Sequence, residues 1–343
     1  MKRLRPGDIF VLNGRCVRLI DTYLLTARVA EAKSSLPTVP RWNAAKMPLA
    51  SGLADEVARL RTVLAQTLAA NDAGPVRSQA WLMDTYALSR GNAEALVRHF
   101  HLQATVSAIP TTDFFLVERF AERELRHYFF HSLLGRSAND ALSRIIAQRV
   151  QATKGGNAMV TIDDYGFMLT LLEFQDMDEA AWRTLFRPGG AEESLRLALA
   201  DAPLVKWQFR VAAQTGLMVP RRVRGAERGG RSLQWSSEVI FDVLRRHEPD
   251  HPLLEEAYAE ATLRFLDTPR AIDFLERVSA MPWKLLTLDR VSPFSFGIFV
   301  SKIKETLTLE DPETTVERLF NSMYGSLVET ITAPIDEAAA TSR

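Results

Sequence analysis

"ANDALSRIIAQRVQATKGGNAMVTIDDYGFMLTLL", residues 138–172, decides the fold class. In its first half Leu142, Ile145 and Ile146 fall on one face at helical spacing, and the pattern stops at Lys154-Gly155-Gly156. The period then changes. "AMVTID" and "FMLTLL" are short β-prone runs, and "DYG" between them has the composition of a turn, so the second half predicts a hairpin. A helix followed by a hairpin, in a chain otherwise rich in helical periodicity, makes the class α+β with helices dominating.

Towards the N-terminus, "DIFVL", Asn13-Gly14, "RCVRLI" and "YLLTARV" read as strands. An Asn-Gly pair between β-rich runs is a hairpin signal, because a type I′ turn needs positive φ at both central residues. With the proline-punctuated connector "PTVPRWNAAKMPL", residues 1–48 form a small β-module and its linker. Leu53, Val57, Leu60, Leu64 and Leu68 then recur at helical spacing, predicting an amphipathic helix that ends near Asn71, with more helix to about residue 104. Residues 49–112 are thus a helical segment. "AIPTTDFFLVERF" restarts extended structure and opens a mixed α/β domain over 113–328. In that domain one helix is expected from Ser237 to Arg246, before Pro249. A second carries Leu254, Tyr258, Ala261 and Phe265 on one face, and a third starts with Thr268 as cap and Pro269 behind it. The end of the chain, 329–343 with "TAPIDEAAATSR", has the composition of a disordered tail.

At 343 residues there is room for two or three cores, and 47% apolar with 24% charged residues is ordinary for a globular protein. The 42 basic and 42 acidic side chains cancel, which argues against a diffuse positive field but not against a local basic groove. Cys16 is the single cysteine, so an internal disulfide and a cysteine zinc cage are excluded, and a reducing cytoplasmic setting is expected. "MKRLRPGDIFVL" has a basic start but no signal-peptide core, and no apolar run approaches the about 18 residues of a membrane span.

Catalytic signatures are missing. There is no G-x-x-x-x-G-K-[ST] loop, and Lys154-Gly155-Gly156-Asn157 lacks the hydroxyl that would hold magnesium. G-x-G-x-x-G after a strand, G-x-S-x-G and H-E-x-x-H are also absent. His99 with His101, and His127 with His131 at i,i+4, could each offer two imidazoles to a metal, but no motif glutamate or cysteine accompanies them, so no metal site is assigned. Asp163-Asp164 before Tyr165-Gly166 reads as the shaping of a hairpin turn.

Two features point to anion binding. "VPRRVRGAERGGRSLQ", residues 219–234, places Arg221, Arg222, Arg224, Arg228 and Arg231 among eleven positions with only Glu227 opposing them. Arginine forks suit phosphate. "SLQWSS" behind them is expected at a helix start, where Gln234, Ser236, Ser237 and backbone N–H groups would seat an anion. Trp42 in "VPRWN" lies beside Arg41 and near Lys46, the combination that base stacking on a single strand requires. The alternatives for these features are an acidic protein partner or a solvated loop for the arginines, and for Trp42 a plug between the β-module and the next helix.

The order of segments carries more than any one of them. "LRPGDIFVLNGR", "VPRW…MPLASGLADEVARL", "HYFFHSLLGRSANDALSRIIAQR", "TIDDYGFML", "QFRVAAQTGLMVPRRVRG…RSLQWSSEVIFDVLRRHEPDHPLLEEA" and "SPFSFGIFVSKIKE" together resemble the C-terminal half of ligase-associated DEXH-box DNA helicases, relatives of the large helicase-related proteins. Residues 113 to about 290 resemble their DEAD/H-associated domain. The resemblance implies a DNA-handling part of an ATP-dependent repair helicase, whose RecA-like motors are not in this sequence. The chain is then a fragment, a split-gene subunit or a motor-less relative, and ATP and magnesium belong to the motor alone. In such proteins a tryptophan of this region stacks on a base of the tracking strand, and Trp42 is its match. Two departures stand out: Trp235 occupies a place where a small residue is usual, and His131-Ser132 stands for His-Pro. The partners implied are single-stranded DNA or a duplex with a 3′ tail, a RecA-like motor in cis or in trans, and a DNA ligase and nuclease of the same operon, with no membrane. A scaffold docking helicase, ligase or nuclease subunits is the rival reading, and a stand-alone DNA glycosylase is a third.

Overall fold

The computed structural model describes residues 9–12, 15–23, 26–32, 49–70, 74–156, 158–223, 226–227, 229–306 and 312–332. In chain order these form β1 (Ile9–Leu12), β2 (Arg15–Tyr23), β3 (Thr26–Glu31), α1 (Ser51–Ala69), α2 (Gly74–Tyr86), α3 (Arg90–Val106), β4 (Phe115–Glu122), β5 (Leu125–Phe130), α4 (Arg136–Lys154), β6 (Met159–Ile162) and β7 (Phe167–Leu172). They continue with α5 (Glu179–Leu185), α6 (Ala191–Leu199), α7 (Pro203–Thr215), β8 (Arg222–Val223), β9 (Ala226–Glu227), α8 (Gly230–His247), α9 (Pro252–Ala259), α10 (Thr268–Ala280), β10 (Trp283–Leu288), α11 (Pro293–Thr306) and α12 (Pro312–Thr332). The α+β class holds: a small N-terminal sheet, helices, then a helix-rich region built on a five-stranded sheet. Two compact units divide the chain, one of residues 1–47, 75–106 and 290–343, the other of 48–74 and 107–289.

In the first unit, β1, β2 and β3 form an antiparallel meander in which Leu12 faces Arg15 across the first turn. The turn residues Asn13 and Gly14 lie outside the described residues. Alternation along β2 buries Val17 and Leu19 against Val29 and exposes Arg18. In the same unit Leu102 of α3, Phe296 and Val300 of α11 and Tyr324 of α12 make a helical core. The Tyr324 hydroxyl donates to the Val291 carbonyl, and the Phe294 N–H donates to Gln103 Oε1 at 2.9 Å.

The second unit is organised by the sheet β10-β4-β5-β7-β6, antiparallel except for β10, which runs parallel to β4. The stretch 138–172 supplies α4, β6 and β7 as its periodicity predicts. Helix α4 buries Ala138, Ala141, Leu142, Ile145, Ile146 and Val150, a full apolar stripe at i, i+3, i+4 and i+7. The core is strongly aromatic. Phe130 stacks on Phe167 at 4.7 Å and meets Trp182 edge-on at 4.9 Å, while Phe115 meets Trp283 edge-on at 4.8 Å. Such pairs each add about 0.5–1.5 kcal/mol beyond area burial.

Several sequence expectations are corrected. Helix α1 buries Ala54, Ala58, Arg61 and Leu64, whereas Leu53 is exposed. Its alanine stripe admits a close neighbour: Gly135, at φ +89°, brings its Cα to where an added Cβ would be 3.2 Å from Leu49 O and 3.7 Å from Ala54 Cβ. Helix α8 begins at Gly230, about two turns before the expected Ser237. After α9 the helix widens into a π-helical segment, Glu260–Phe265, so Phe265 leaves the face shared by Leu254, Tyr258 and Ala261, and Leu266 is buried instead. The residue before α10 is Asp267 at φ +38°, and Thr268 donates its hydroxyl to Thr262 O rather than capping the helix. His127 is in a strand, so its four-residue spacing to His131 does not place the two on one helix face. The expected tail falls in part on 333–343, outside the described residues, and residues 329–332 finish α12.

Candidate nucleic-acid interface

Helices α7 and α8 pack through their apolar faces, with Phe209 and Phe241 edge-on at 5.4 Å and both fully buried. On α7 the buried set Val205, Phe209 and Ala213 recurs every four residues. That spacing turns Trp207 and Val211, each 45% exposed, to the opposite side. On α8 the exposed apolar row is Trp235, Val239 and Val243, with Trp235 70% exposed. Between the two helices lies a cleft of 290 Å³, walled by Asp201, Pro203, Lys206, Trp207 and Arg210 on one side and by Gln234, Ser237 and Glu238 on the other, two acids against two bases. Trp207 is steadied by Phe265, whose ring stands perpendicular to it at 5.8 Å.

The charges around this cleft are partly spoken for. Asp201 holds Arg245 at 2.9 Å and Lys206 at 3.7 Å, and Arg245 also donates to the Ala200 carbonyl at 2.7 Å. Gln234 donates to Glu238 at 2.9 Å. Ser236 and Ser237 donate to the carbonyls of Ser232 and Gln234, each at 2.8 Å, inside the helix rather than at its start. By helix geometry the N–H groups of the first turn, those of Gly230 and Arg231 among them, face out of the start of the helix. The helix start bears no side-chain cap bond and no acidic residue in its first turn. Its last turn holds Arg245, Arg246 and His247, matched to the negative end of the dipole.

Of the residues expected from sequence, Gln234 and Ser237 line the cleft, Ser236 lies beside it on α8, and Arg221 and Arg222 are exposed in the segment joining α7 to α8. Arg231 falls in the first turn of α8. Trp42, Arg41, Lys46, Arg224 and Arg228 lie outside the described residues. The cleft adds Trp207, Lys206 and Arg210, which the sequence reading passed over. Their signal is present in "LVKWQFRVAA": once Val205, Phe209 and Ala213 are taken as the buried row, a tryptophan falls opposite it and two cations flank it.

The remaining titratable clusters serve the fold. Asp163 Oδ1 accepts from the N–H groups of Tyr165 and Gly166, both at 2.8 Å, which is the expected turn. Burial pushes the Asp163 carboxyl up, against those two bonds and the charges of His131 and Arg61. Arg61, buried, lies 4.8 Å over the Tyr165 ring, and burial brings its guanidinium down to about 10 despite Asp163 and Tyr165. His131 Nε2 is 3.1 Å from Glu118 Oε2, and His127 Nδ1 is 2.9 Å from Thr170 Oγ1. On the sheet, Asp176 accepts from Arg119 Nε at 2.9 Å and from the Tyr128 hydroxyl. Burial is the largest influence on Tyr128, which rises to about 12. Among the described residues, no group of three or more His, Cys, Asp or Glu is placed to hold a metal, and no helix is long and apolar enough to cross a membrane.

Comparison with known proteins agrees with this architecture. The DEAD/H associated family model matches residues 109–295. The chain is 32% identical over 330 residues to the ATP-dependent helicase Lhr-Core protein 2 of Thermococcus barophilus, covering 96% of this chain and 38% of that protein. It is 27% identical to the ATP-dependent helicase Lhr-Core of Methanocaldococcus jannaschii, over 93% of this chain and 36% of the relative. The Mycobacterium smegmatis helicase Lhr, solved bound to ssDNA and AMP-PNP, shares the fold with a TM-score of 0.62 at 19% identity, across 78% of this chain and 34% of that one. The chain therefore spans a little over a third of the length of these relatives. With more than half of its residues inside the matching model and the sheet and helices of that region in place, the chain belongs to the DEAD/H-associated family.

Proposed function

We propose that this chain is the nucleic-acid-binding accessory region of an ATP-dependent DNA repair helicase, guiding single-stranded DNA for RecA-like motor domains held in cis or in trans. The observation that carries this reading is the exposure of Trp207 on α7 and Trp235 on α8, with Lys206 and Arg210 lining the cleft beside Trp207 and with Arg221 and Arg222 exposed in the segment that joins the two helices. A π-face beside a guanidinium is sequence-tolerant chemistry suited to a moving single strand. The names of the Lhr-Core relatives and the ssDNA in the Mycobacterium structure support the same reading. In it Trp42 stacks a base, Arg41, Lys46, Arg224, Arg228 and Arg231 join Arg221 and Arg222 on the phosphates, and a DNA ligase and a nuclease are functional neighbours. Nucleotide hydrolysis is assigned to no residue of this chain.

Fluorescence anisotropy with a labelled oligonucleotide across a salt series tests it. Arg221→Ala and Arg222→Ala should each flatten the plot of log K against log salt by about 0.7. Trp207→Ala or Trp235→Ala should weaken binding by about 1–3 kcal/mol. Absent binding, or variants that leave both slope and affinity unchanged, would remove the proposal. The scaffold reading draws on the exposed row Trp235, Val239 and Val243, and predicts instead a protein complex that survives nuclease treatment.

A further inference from the structure

A second concavity in the same unit is acidic where the α7–α8 cleft is balanced. It is a groove of 740 Å³ among α6, α9, the π-helical segment and α10. Its floor is apolar, formed by Leu195, Tyr258, Ala259 and Ile272, and Leu263 stands on its wall 66% exposed. Its rim is acidic. Glu192, Glu193, Glu255 and Asp273 line it against one cation, Arg196. Arg196 is already consumed: it pairs with Glu255 at 2.5 Å and lies 4.7 Å over the Tyr258 ring. The bonds from Arg196 hold the Glu255 carboxyl below its ordinary range, so that pair is charged and mutually satisfied. Glu192, Glu193 and Asp273 are left exposed with no opposing charge among the groove's lining residues.

We propose that this groove docks a basic amphipathic helix from a partner polypeptide. A nucleic-acid strand or an anionic lipid surface meets three exposed carboxylates and is repelled. An apolar floor walled by helices takes the apolar row of an incoming helix at i, i+3, i+4 and i+7, and lysines or arginines flanking that row meet the acidic rim. The π-helical segment makes the wall. Its wider turn carries Thr262 and Leu263 onto the groove, a type of irregularity that recurs at functional sites. This docking surface is separate from the α7–α8 cleft, and neither reading depends on the other.

The test uses the full chain and two fluorescein-labelled helical peptides with the same leucine row, one flanked by lysines and one by glutamates. The lysine peptide should bind at least about tenfold tighter, with affinity falling as salt rises. The double variant Glu193→Lys/Asp273→Lys should weaken the lysine peptide about tenfold and reverse the preference. Leu263→Asp, a change at an exposed position, should weaken it by a similar factor. The charge-neutral change Trp235→Ala, which weakens ssDNA binding in the proposed DNA path, should leave the affinity of the lysine peptide unchanged, which separates the two sites. Failure of the lysine peptide to bind, equal binding of both peptides, or binding that none of the groove substitutions alters would overturn the proposal.

Discussion

Replacing Gly166 by alanine should cost far more than a methyl group suggests. A Cβ there would lie 2.2 Å from the Phe130 carbonyl oxygen, 3.2 Å from the Phe130 carbonyl carbon and 3.4 Å from His131 Cα. Every one of those atoms is backbone, so no side chain can swing away. Relief to 3.0 Å requires a shift of about 0.8 Å by either the turn or β5. β5 is bonded on both edges, to β4 and to β7, so the turn must move. Moving it strains the two bonds from Tyr165 and Gly166 to Asp163 Oδ1, the Asp163 N–H to Gly166 O bond at 3.1 Å and the Leu133 N–H to Tyr165 O bond at 3.0 Å. Losing two or three of these at about 1 kcal/mol each, with part of the Phe130–Phe167 stack, sums to about 3–4 kcal/mol. Urea unfolding followed by far-UV circular dichroism reads this directly, and the melting temperature should fall by roughly 10 °C. A loss below about 1 kcal/mol would refute the claim that the turn is pinned against β5.

The opposite sign is expected at Gly297, an exposed residue within α11 whose added Cβ meets nothing within 4 Å. Gly297→Ala should stabilise by about 1 kcal/mol in the same denaturation assay. Asp176 gives a pH prediction: burial works to raise its carboxyl, but the bonds from Arg119 and Tyr128 outweigh it and hold it below the ordinary range. Its stabilisation is therefore complete above the unfolded value and is lost as pH falls through the lower folded value. Asp176→Asn should cost about 1–2 kcal/mol at neutral pH and flatten the acid limb of the stability curve, seen as converging wild-type and variant midpoints in urea at low pH.

Periodicity made much of this architecture legible. Helix α4 and the β6–β7 hairpin were readable because a full 3.6-residue stripe gives way at Lys154-Gly155-Gly156 to two short β-prone runs. β10 was not, since "WKLLTL" is a six-residue run whose pairing with β4 depends on residues far away in the chain. The start of α8 was misplaced because serine is a good cap residue, yet here the Ser236 and Ser237 hydroxyls bond back inside the helix. Phe265 was put on a buried face because no local pattern announces a π-helical turn. Of the residues that line the candidate cleft, Gln234 and Ser237 were singled out from composition and order. Trp207 was not, because a tryptophan in an apolar helix reads as core until the buried row beside it is identified.

The parallel partnership of β10 with β4 has a bearing on how the chain is born. β4 ends at Glu122 and its outer neighbour begins only at Trp283. At roughly 5–20 residues per second, a ribosome takes about 10–30 seconds to cover that interval. Throughout it, one edge of β4 has no strand beside it, in a nascent sheet already rich in phenylalanine. Such an edge is a template for association with other chains. Expression of any version stopped short of Leu288 would make that transient state permanent, and aggregation rather than a trimmed but folded product is the outcome to anticipate.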